Sequence, residues 1–187
     1  AVPACTSDGQ AVQLLANIES PQDVPTALRS GAVGVGLFRT EFLFMGRGSD
    51  LPGEEEQYAA YRSVVEGMKG LPVTIRTIDV GADKPLDGTH AGANPALGLR
   101  AIRWSLSDLP MFRTQLRALL RAAVFGPVSV LFPMMANLDE ARQAWTQVEL
   151  ARGELAARGM PVGAVRLGAM VEVPAAALLA EDFLQQF

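Results

Sequence analysis

Short apolar runs alternate along the chain with longer stretches in which apolar residues recur at helical spacing. We predict strands from the short runs and helices from the longer stretches, because the two spacings distinguish these structures. The predicted strands are Val12–Ile18, Val33–Phe38, Val73–Ile78, Val128–Phe132 and Arg166–Val173. The predicted helices are Asp23–Ser30, Glu54–Lys69, Leu97–Leu106, Pro110–Val124, Leu138–Arg158 and Pro174–Phe187. The pattern therefore indicates strands and helices in regular alternation.

Local sequence signals predict the two ends of one helix and the buried face of another. Asn137 and Glu140 predict a capping box at the start of one helix, and Gly159 predicts its end. Four apolar positions predict a buried stripe along the helix that begins at Glu54: Tyr58, Tyr61, Val65 and Met68. A long loop rich in Gly, Asp and Asn, Val80–Pro95, follows the third strand, and a loop of that length usually has a function.

Strands that alternate with helices predict an α/β fold with a parallel sheet and helical cover. The strands are apolar on both faces, as strands buried on both sides should be. An open doubly wound sheet and a (β/α)8 TIM-type barrel both fit this order. The first strand is not followed by the G-x-G-x-x-G of dinucleotide-binding sheets. Because a complete barrel needs eight strands and about 250 residues, five strands in 187 residues predict a partial barrel or a smaller sheet.

Composition narrows the possible chemistry. The chain has a net charge of −4 and no basic block, which argues against nucleic acid as a partner. A single cysteine, Cys5, and a single histidine, His90, exclude an internal disulfide, a thiolate metal site and a Ser-His-Asp triad. No apolar run approaches the ~20 residues of a membrane span, and the first ten residues do not resemble a signal peptide. We therefore expect a cytoplasmic protein without a membrane partner.

Two arginines lie at or near the C-terminal ends of predicted strands. Arg39 directly follows a buried run, and its planar guanidinium matches phosphate or carboxylate. Arg76 lies inside an apolar strand, where an unpaired charge is costly. Glu41 is an alternative partner for Arg39, whereas Asp79 or Asp83 could neutralise Arg76. These internal ion pairs and a bound anion are the alternatives for both arginines.

Further charged groups fall near the same strand ends. Arg100 and Arg103 lie one helical turn apart behind the long loop, and each taken alone is typical of a surface charge. Glu172 ends the fifth strand, where it could bind Mg²⁺ together with ligand oxygens or form a salt bridge with an arginine. We interpret Lys84 as a solvated loop residue. A barrel would gather these groups at one mouth, which predicts a site for a phosphorylated carboxylic acid and a divalent metal.

Six segments carry a resemblance to a known family: GLFRTEFLFMGR, EEEQYAAY, IRTIDVGADKPL, NPALGLRAIR, AVFGPVSVLFPM and GAMVEVPAAALLA. In this order they resemble the enzyme I family of bacterial sugar phosphotransferase systems, within the wider group of phosphoenolpyruvate-utilising enzymes. The match runs from about Asp8 to Phe187. It implies a phosphoenolpyruvate-binding barrel, present here as about five βα units over residues 12–187, with residues 1–11 as a linker.

The resemblance also implies roles for particular residues. Arg39 and Arg76 would bind the phosphoryl group of phosphoenolpyruvate, Arg100 would support them, and Glu172 would be one Mg²⁺ ligand. The implied partners are an N-terminal phosphohistidine domain of the same protein, a histidine-containing phosphocarrier protein and a second copy in a homodimer. The family's phosphorylated histidine, second metal-ligand pair and proton-donor cysteine have no match here, so we expect no catalytic residue in this chain and no activity from it alone.

Other functions fit parts of the pattern. A module used only for binding or dimerisation would leave its outer strands open to association. A dikinase related to pyruvate phosphate dikinase would share the arginine after the second strand. A metal-dependent aldolase would also place a carboxylate at a strand end, but the stretch IRTIDVGADKP disfavours it.

Overall fold

The fold is built on one parallel sheet. The computed structural model describes residues 4–47, 50–80 and 98–187. The sheet has five strands in sequential order. They are β1 (Ala16–Ile18), β2 (Val35–Arg39), β3 (Val73–Arg76), β4 (Val128–Phe132) and β5 (Val165–Ala169). Every neighbouring pair is parallel.

The strand order decides between the two architectures left open by the sequence. In a doubly wound sheet the order reverses once, whereas here each strand pairs with the one before it. Uninterrupted sequential order is the arrangement of a (β/α)8 barrel. The prediction of a partial barrel is confirmed.

The helices follow the strands as predicted, with shifts at their ends. Within the described residues they are α1 (Val24–Arg29), α2 (Glu54–Gly67), α3 (Ala101–Ser107), α4 (Leu109–Ala122), α5 (Leu138–Ala157), α6 (Pro174–Leu178) and α7 (Ala180–Gln186). The predicted final helix is divided in two because Leu179 leaves helical geometry, with φ −102° and ψ 19°. The first residue of the helix predicted to begin at Leu97, and most of the predicted loop, lie outside the described residues. None of the described helices is long and apolar enough to cross a membrane.

The core lies between the sheet and its helical cover. Tyr61 and Val65 of α2 and Met68, its C-cap residue, are fully buried and Tyr58 is half-buried, so the predicted stripe is confirmed. Tyr61 meets Phe38 of β2 edge to face, with ring centroids 6.1 Å apart. Phe38 therefore faces the helices, and the residues that alternate with it face the opposite, interior side of the sheet.

The capping prediction for α5 is confirmed at its N-cap residue. The Asn137 side chain accepts a hydrogen bond from the Glu140 N–H at 2.9 Å. The second bond of a capping box would run from the N–H of Asn137 to the Glu140 carboxylate. Here that carboxylate accepts instead from the N–H of Ala136 at 2.7 Å. Gly159 follows the helix with φ +66°, a left-handed conformation that glycine adopts without strain.

A network of ion pairs ties three helices together on the outer side. Glu54 of α2 accepts from Arg117 at 2.6 Å and from Arg121 at 2.8 Å, and Arg117 also reaches Glu154 of α5 at 2.6 Å. Burial by itself raises the pKa of Glu54, but the bonds from Arg117 and Arg121 outweigh it and hold that pKa below its usual value. The ionised carboxylate of Glu54 therefore stabilises the fold.

Replacing Glu54 should reveal this stabilisation as a pH dependence. Because the folded-state pKa is lowered, the stabilisation is complete above the unfolded pKa and is lost as pH falls through the folded one. We expect Glu54→Gln to lower the free energy of unfolding by about 1–2 kcal/mol at pH 7. The difference from wild type should shrink as the pH falls below about 4.

Urea unfolding at pH 7 and at a pH below about 4 measures the stability difference between Glu54→Gln and wild type. Glu149→Gln is the control. Glu149 is 53% exposed and pairs with Arg152 on its own helix, so its replacement should cost less than about 0.5 kcal/mol. An equal penalty for Glu54→Gln at both pH values would contradict the assignment.

Candidate functional site

Two arginines lie side by side on the interior face of the sheet. Arg39 ends β2 and Arg76 ends β3, and they are paired in register. Their predecessors, Phe38 and Ile75, are fully buried in the core beneath the helices. Because successive side chains of a strand alternate between its faces, both arginines face the interior at the C-terminal edge of the sheet.

An irregularity in β2 places Arg39 on this face. Val35 pairs with Val73 and Phe38 pairs with Ile75, so β2 uses three steps where β3 uses two. The extra residue lets Val35 and Phe38 both face the core, and it moves Arg39 to the opposite side. Gly36 lies in this segment, where a Cβ would come within 2.8 Å of the Leu15 side chain. The glycine thus permits the segment that leads into β1 to approach the irregular part of β2.

Arg76 is the central group of the site. It pairs with Glu41 from the turn after β2 and with Asp79 at 3.1 Å, so the prediction that Asp79 neutralises it is confirmed. Asp83, the other predicted partner, lies outside the described residues. The Arg76 side chain is 11% exposed and that of Glu41 only 2%. At that depth the arginine requires a counter-ion, which these carboxylates provide.

Asp79 also joins Arg100 to the site. Its second oxygen accepts from Arg100 Nη2 at 3.0 Å, so one carboxylate bridges Arg76 and Arg100. The Arg100 side chain is 17% exposed, and the residue occupies the N-cap position of α3. The expectation that Arg100 is a surface charge is wrong, because Asp79 draws it against the strand ends. Arg103, in the first turn of α3, is half-buried.

Arg39 has a different partner from the one predicted. It donates to Glu19, which follows β1, at 2.8 Å, whereas the Glu41 predicted for it pairs with Arg76. The reason is the short 3-10 turn Thr40–Leu43, which carries Glu41 across to β3. The side chains of Arg39 and Glu19 are 30% and 45% exposed, so solvent weakens this pair. Arg39 is therefore the arginine that an incoming anion can most easily recruit.

Glu172 lies beyond the end of β5, and its carboxylate accepts a hydrogen bond from a backbone N–H. Its Oε1 accepts from the N–H of Met134 at 2.7 Å. Met134 has φ +58°, a conformation that is strained for a residue with a side chain and that turns its N–H toward the carboxylate. Nearby in the chain, the sulfur of Met170 lies 4.0 Å from Arg76 Nη1. The segment that carries Glu172 thus contacts the central arginine.

Several residues of the site escaped sequence reasoning. Glu19 lacks a local signal, because its contact with Arg39 depends on strand pairing. Gln115 could have been found, since it is a polar residue on the buried face of α4, between Phe112 and Leu116. It bonds to residues that follow both arginine-bearing strands. Lys84, interpreted as solvated, and the single histidine, His90, lie outside the described residues.

The arrangement is suited to binding a multiply charged anion. Three guanidinium groups converge on neighbouring strand ends, and each offers a planar pair of donors that matches phosphate oxygens. The carboxylates of Glu19, Glu41 and Asp79 balance these charges. A ligand phosphate would add charge on the interior side and compete first with Glu19, the most exposed of the three.

Comparisons with known proteins identify the family of this chain. A family model described as "PEP-utilising enzyme, PEP-binding domain" matches residues 1–187. A relative from Cupriavidus necator named phosphoenolpyruvate-protein phosphotransferase is 57% identical over 98% of this chain. Relatives of the same name from Geobacillus stearothermophilus and Staphylococcus carnosus are 50% and 48% identical, each over 97% of this chain. The chain spans 32% of the length of each relative. It belongs to the phosphoenolpyruvate-binding domain family.

Removing the charge of Glu19 should strengthen anion binding. We expect Glu19→Gln to bind inorganic phosphate about three- to tenfold more tightly, because Arg39 loses a competing carboxylate and the site loses a repulsive one. Isothermal titration of the chain with phosphate measures this. Glu66→Gln removes a similarly exposed carboxylate that pairs with Arg62 on α2 and should leave the affinity unchanged. Weaker binding by Glu19→Gln would mean that Glu19 orients Arg39 rather than competing for it.

Proposed function

We propose that this member of the family binds phosphoenolpyruvate on the interior face of the sheet, with its phosphoryl group on Arg39, Arg76 and Arg100. The observation that carries the proposal is the register pairing of Arg39 with Arg76, which sets two guanidinium groups side by side on one face. Asp79 adds Arg100 to the same cluster. Three positive groups suit a phosphoryl group, whose charge is spread over several oxygens.

The burial of Arg76 supports the strength of this interaction. Charges attract more strongly where water is excluded, and Arg76 is 11% exposed. Its position is fixed by Glu41 and Asp79 before any ligand arrives. Donors that are ordered in advance lose little freedom on binding, so more of their interaction contributes to affinity.

A single carboxylate together with phosphate oxygens would suit Mg²⁺, and we propose Glu172 as that carboxylate. Mg²⁺ is commonly held by one or two carboxylates together with phosphate oxygens and water. Within the described ranges, no group of three His, Cys, Asp or Glu residues could hold a metal alone. The N–H of Met134 orients the Glu172 carboxylate by donating to Oε1, and Glu172 would hold the metal. When bound, Mg²⁺ would neutralise charge on the phosphoryl group and polarise the enolate oxygen.

We infer that the activity to which this site contributes is that of a phosphoenolpyruvate–protein phosphotransferase. The bond between phosphorus and the enolate oxygen breaks, and its electron pair stays on that oxygen as pyruvate enolate. A new bond forms between phosphorus and a histidine nitrogen on an N-terminal domain of the same protein. A histidine-containing carrier protein would then accept the phosphoryl group for sugar uptake. We place this activity in the cytoplasm and assign it to a homodimer.

The chain supplies only the binding step in this scheme. The phosphorylated histidine and the acid that protonates the enolate are assigned outside it, so we expect the 187-residue chain alone to be inactive. The relatives described above are named as phosphotransferases rather than aldolases or dikinases. We therefore favour the phosphotransferase over those alternatives and over a module for assembly alone.

Removing the guanidinium of Arg76 should strongly weaken binding. We expect Arg76→Met to lose at least about a hundredfold in affinity for phosphoenolpyruvate with Mg²⁺, because it removes a charged donor and leaves Glu41 and Asp79 unopposed. Titration followed by NMR measures the affinity and shows whether the variant is folded. Arg142→Met, which removes a 61% exposed arginine on α5, is the matched control. Equal affinity of both variants and wild type would refute the site.

A hybrid protein tests the activity. In the Cupriavidus necator relative, the segment that matches this chain can be exchanged for residues 1–187. We expect the hybrid to phosphorylate its own histidine from phosphoenolpyruvate, and Glu172→Gln within it to slow this on the order of a hundredfold. Glu181→Gln, at an exposed position of α7, should leave the rate unchanged. A hybrid that folds and binds phosphoenolpyruvate but transfers nothing would contradict the proposed activity.

A further inference from the structure

A buried chain of hydrogen bonds runs from the helices to the strand ends that carry the arginines. Gln115 of α4 lies at its centre, fully buried. Its carbonyl oxygen accepts from the N–H of Ile78 at 3.1 Å. Its amide nitrogen donates to the hydroxyls of Tyr61 at 3.1 Å and Thr40 at 3.3 Å. One side chain thus connects a helix with the turns after β2 and β3.

The direction of every bond around Gln115 is fixed. The N–H of Ile78 can only donate, so the carbonyl oxygen of Gln115 must face it and the amide hydrogens must face the two hydroxyls. The Thr40 hydroxyl donates in turn to the carbonyl of Arg76 at 2.9 Å. Burial raises the pKa of the Tyr61 hydroxyl well above its usual value, so it stays protonated and donates to Gln57 at 3.0 Å. No rearrangement of these bonds keeps all partners satisfied.

Each arginine of the site is connected to this buried chain of hydrogen bonds through one or two residues. Thr40 is the residue after Arg39, and it binds the backbone of Arg76 directly. Ile78 precedes Asp79, the carboxylate that bridges Arg76 and Arg100. The ends of β2 and β3 therefore cannot shift against each other without breaking a buried hydrogen bond, which is unfavourable because it leaves a buried donor or acceptor without a partner.

We propose that Gln115 and Thr40 are positioning residues, which hold the strand ends that carry Arg39, Arg76 and Asp79 in the arrangement that lets both arginines reach one phosphate. The proposal rests on the proposed function for the identity of the anion, whereas the ordering of the arginines can be measured without a ligand. Both side chains are fully buried, so an anion at the strand ends would not contact them. Their contribution is to keep the guanidinium groups in place, which matters because small misplacements of binding groups strongly weaken recognition.

A purely structural role makes a different prediction, and Tyr61 separates the two. Tyr61→Phe removes a buried hydroxyl from the same chain and leaves Gln57 and one amide hydrogen of Gln115 without their present partner. It leaves the bonds from Gln115 to Ile78 and from Thr40 to Arg76 intact. If the buried chain of hydrogen bonds only stabilises the fold, Tyr61→Phe and Thr40→Val should lower phosphate affinity to a similar extent.

The test compares Gln115→Met, Thr40→Val and Tyr61→Phe with wild type in the 187-residue chain. Urea unfolding gives the stability of each, and NMR relaxation of the arginine Nε–H groups gives their order without a ligand. Titration with inorganic phosphate then gives affinity at a temperature where all variants are folded. Thr40→Val, which changes only a hydroxyl to a methyl group, keeps the test informative if Gln115→Met does not fold.

We expect Gln115→Met and Thr40→Val to increase the motion of the Arg39 and Arg76 Nε–H groups and to weaken phosphate binding about tenfold. The Tyr61→Phe variant should lose a comparable amount of stability but keep its phosphate affinity within about twofold of the wild-type value. Affinity that falls in proportion to stability in all three would overturn the proposal, as would unchanged arginine order in Thr40→Val. If wild type binds no phosphate while the arginines still lose order in Thr40→Val, the proposed function fails and the positioning role stands.

Discussion

Two arginines placed side by side at the end of a parallel sheet impose a constraint on everything around them. A guanidinium that is 11% exposed, as in Arg76, is stable only with carboxylates at hydrogen-bonding distance. Glu41 and Asp79 meet that need, and Asp79 then brings in Arg100. The cluster of acids and bases is therefore a consequence of where β2 and β3 end.

The same constraint explains why the site is built on rigid elements. Arg39 and Arg76 lie on strands, and a buried chain of bonds through Gln115 and Thr40 secures the turns behind them. Outside the sheet, ion pairs centred on Glu54 and Arg117 join the helices that cover it. Under the proposed function, stability and binding would thus be linked through α4, which carries both Gln115 and Arg117 on different faces.

The periodicity of hydrophobic residues predicted the strands and helices well, because elements buried on one or both faces have characteristic spacings of apolar residues. Arg39, Arg76, Arg100 and Glu172 also stood out, since charges next to buried runs need an explanation. Their roles stay predictions. The partners were harder: the one-residue irregularity in β2 and the pairing of Arg39 with Glu19 depend on strand register, which local sequence does not determine. Gln115 was missed although a polar residue on the apolar face of α4 was a usable signal.

The central claim is that Arg39 and Arg76 share one anion, and a crystal structure of the chain with phosphoenolpyruvate and Mg²⁺ tests it most directly. The account predicts phosphate oxygens within about 2.7–3.2 Å of both guanidinium groups, with Arg39 turned from Glu19 toward the ligand. A structure in which the ligand lies elsewhere, while Arg39 stays with Glu19 and Arg76 with Glu41, would contradict it.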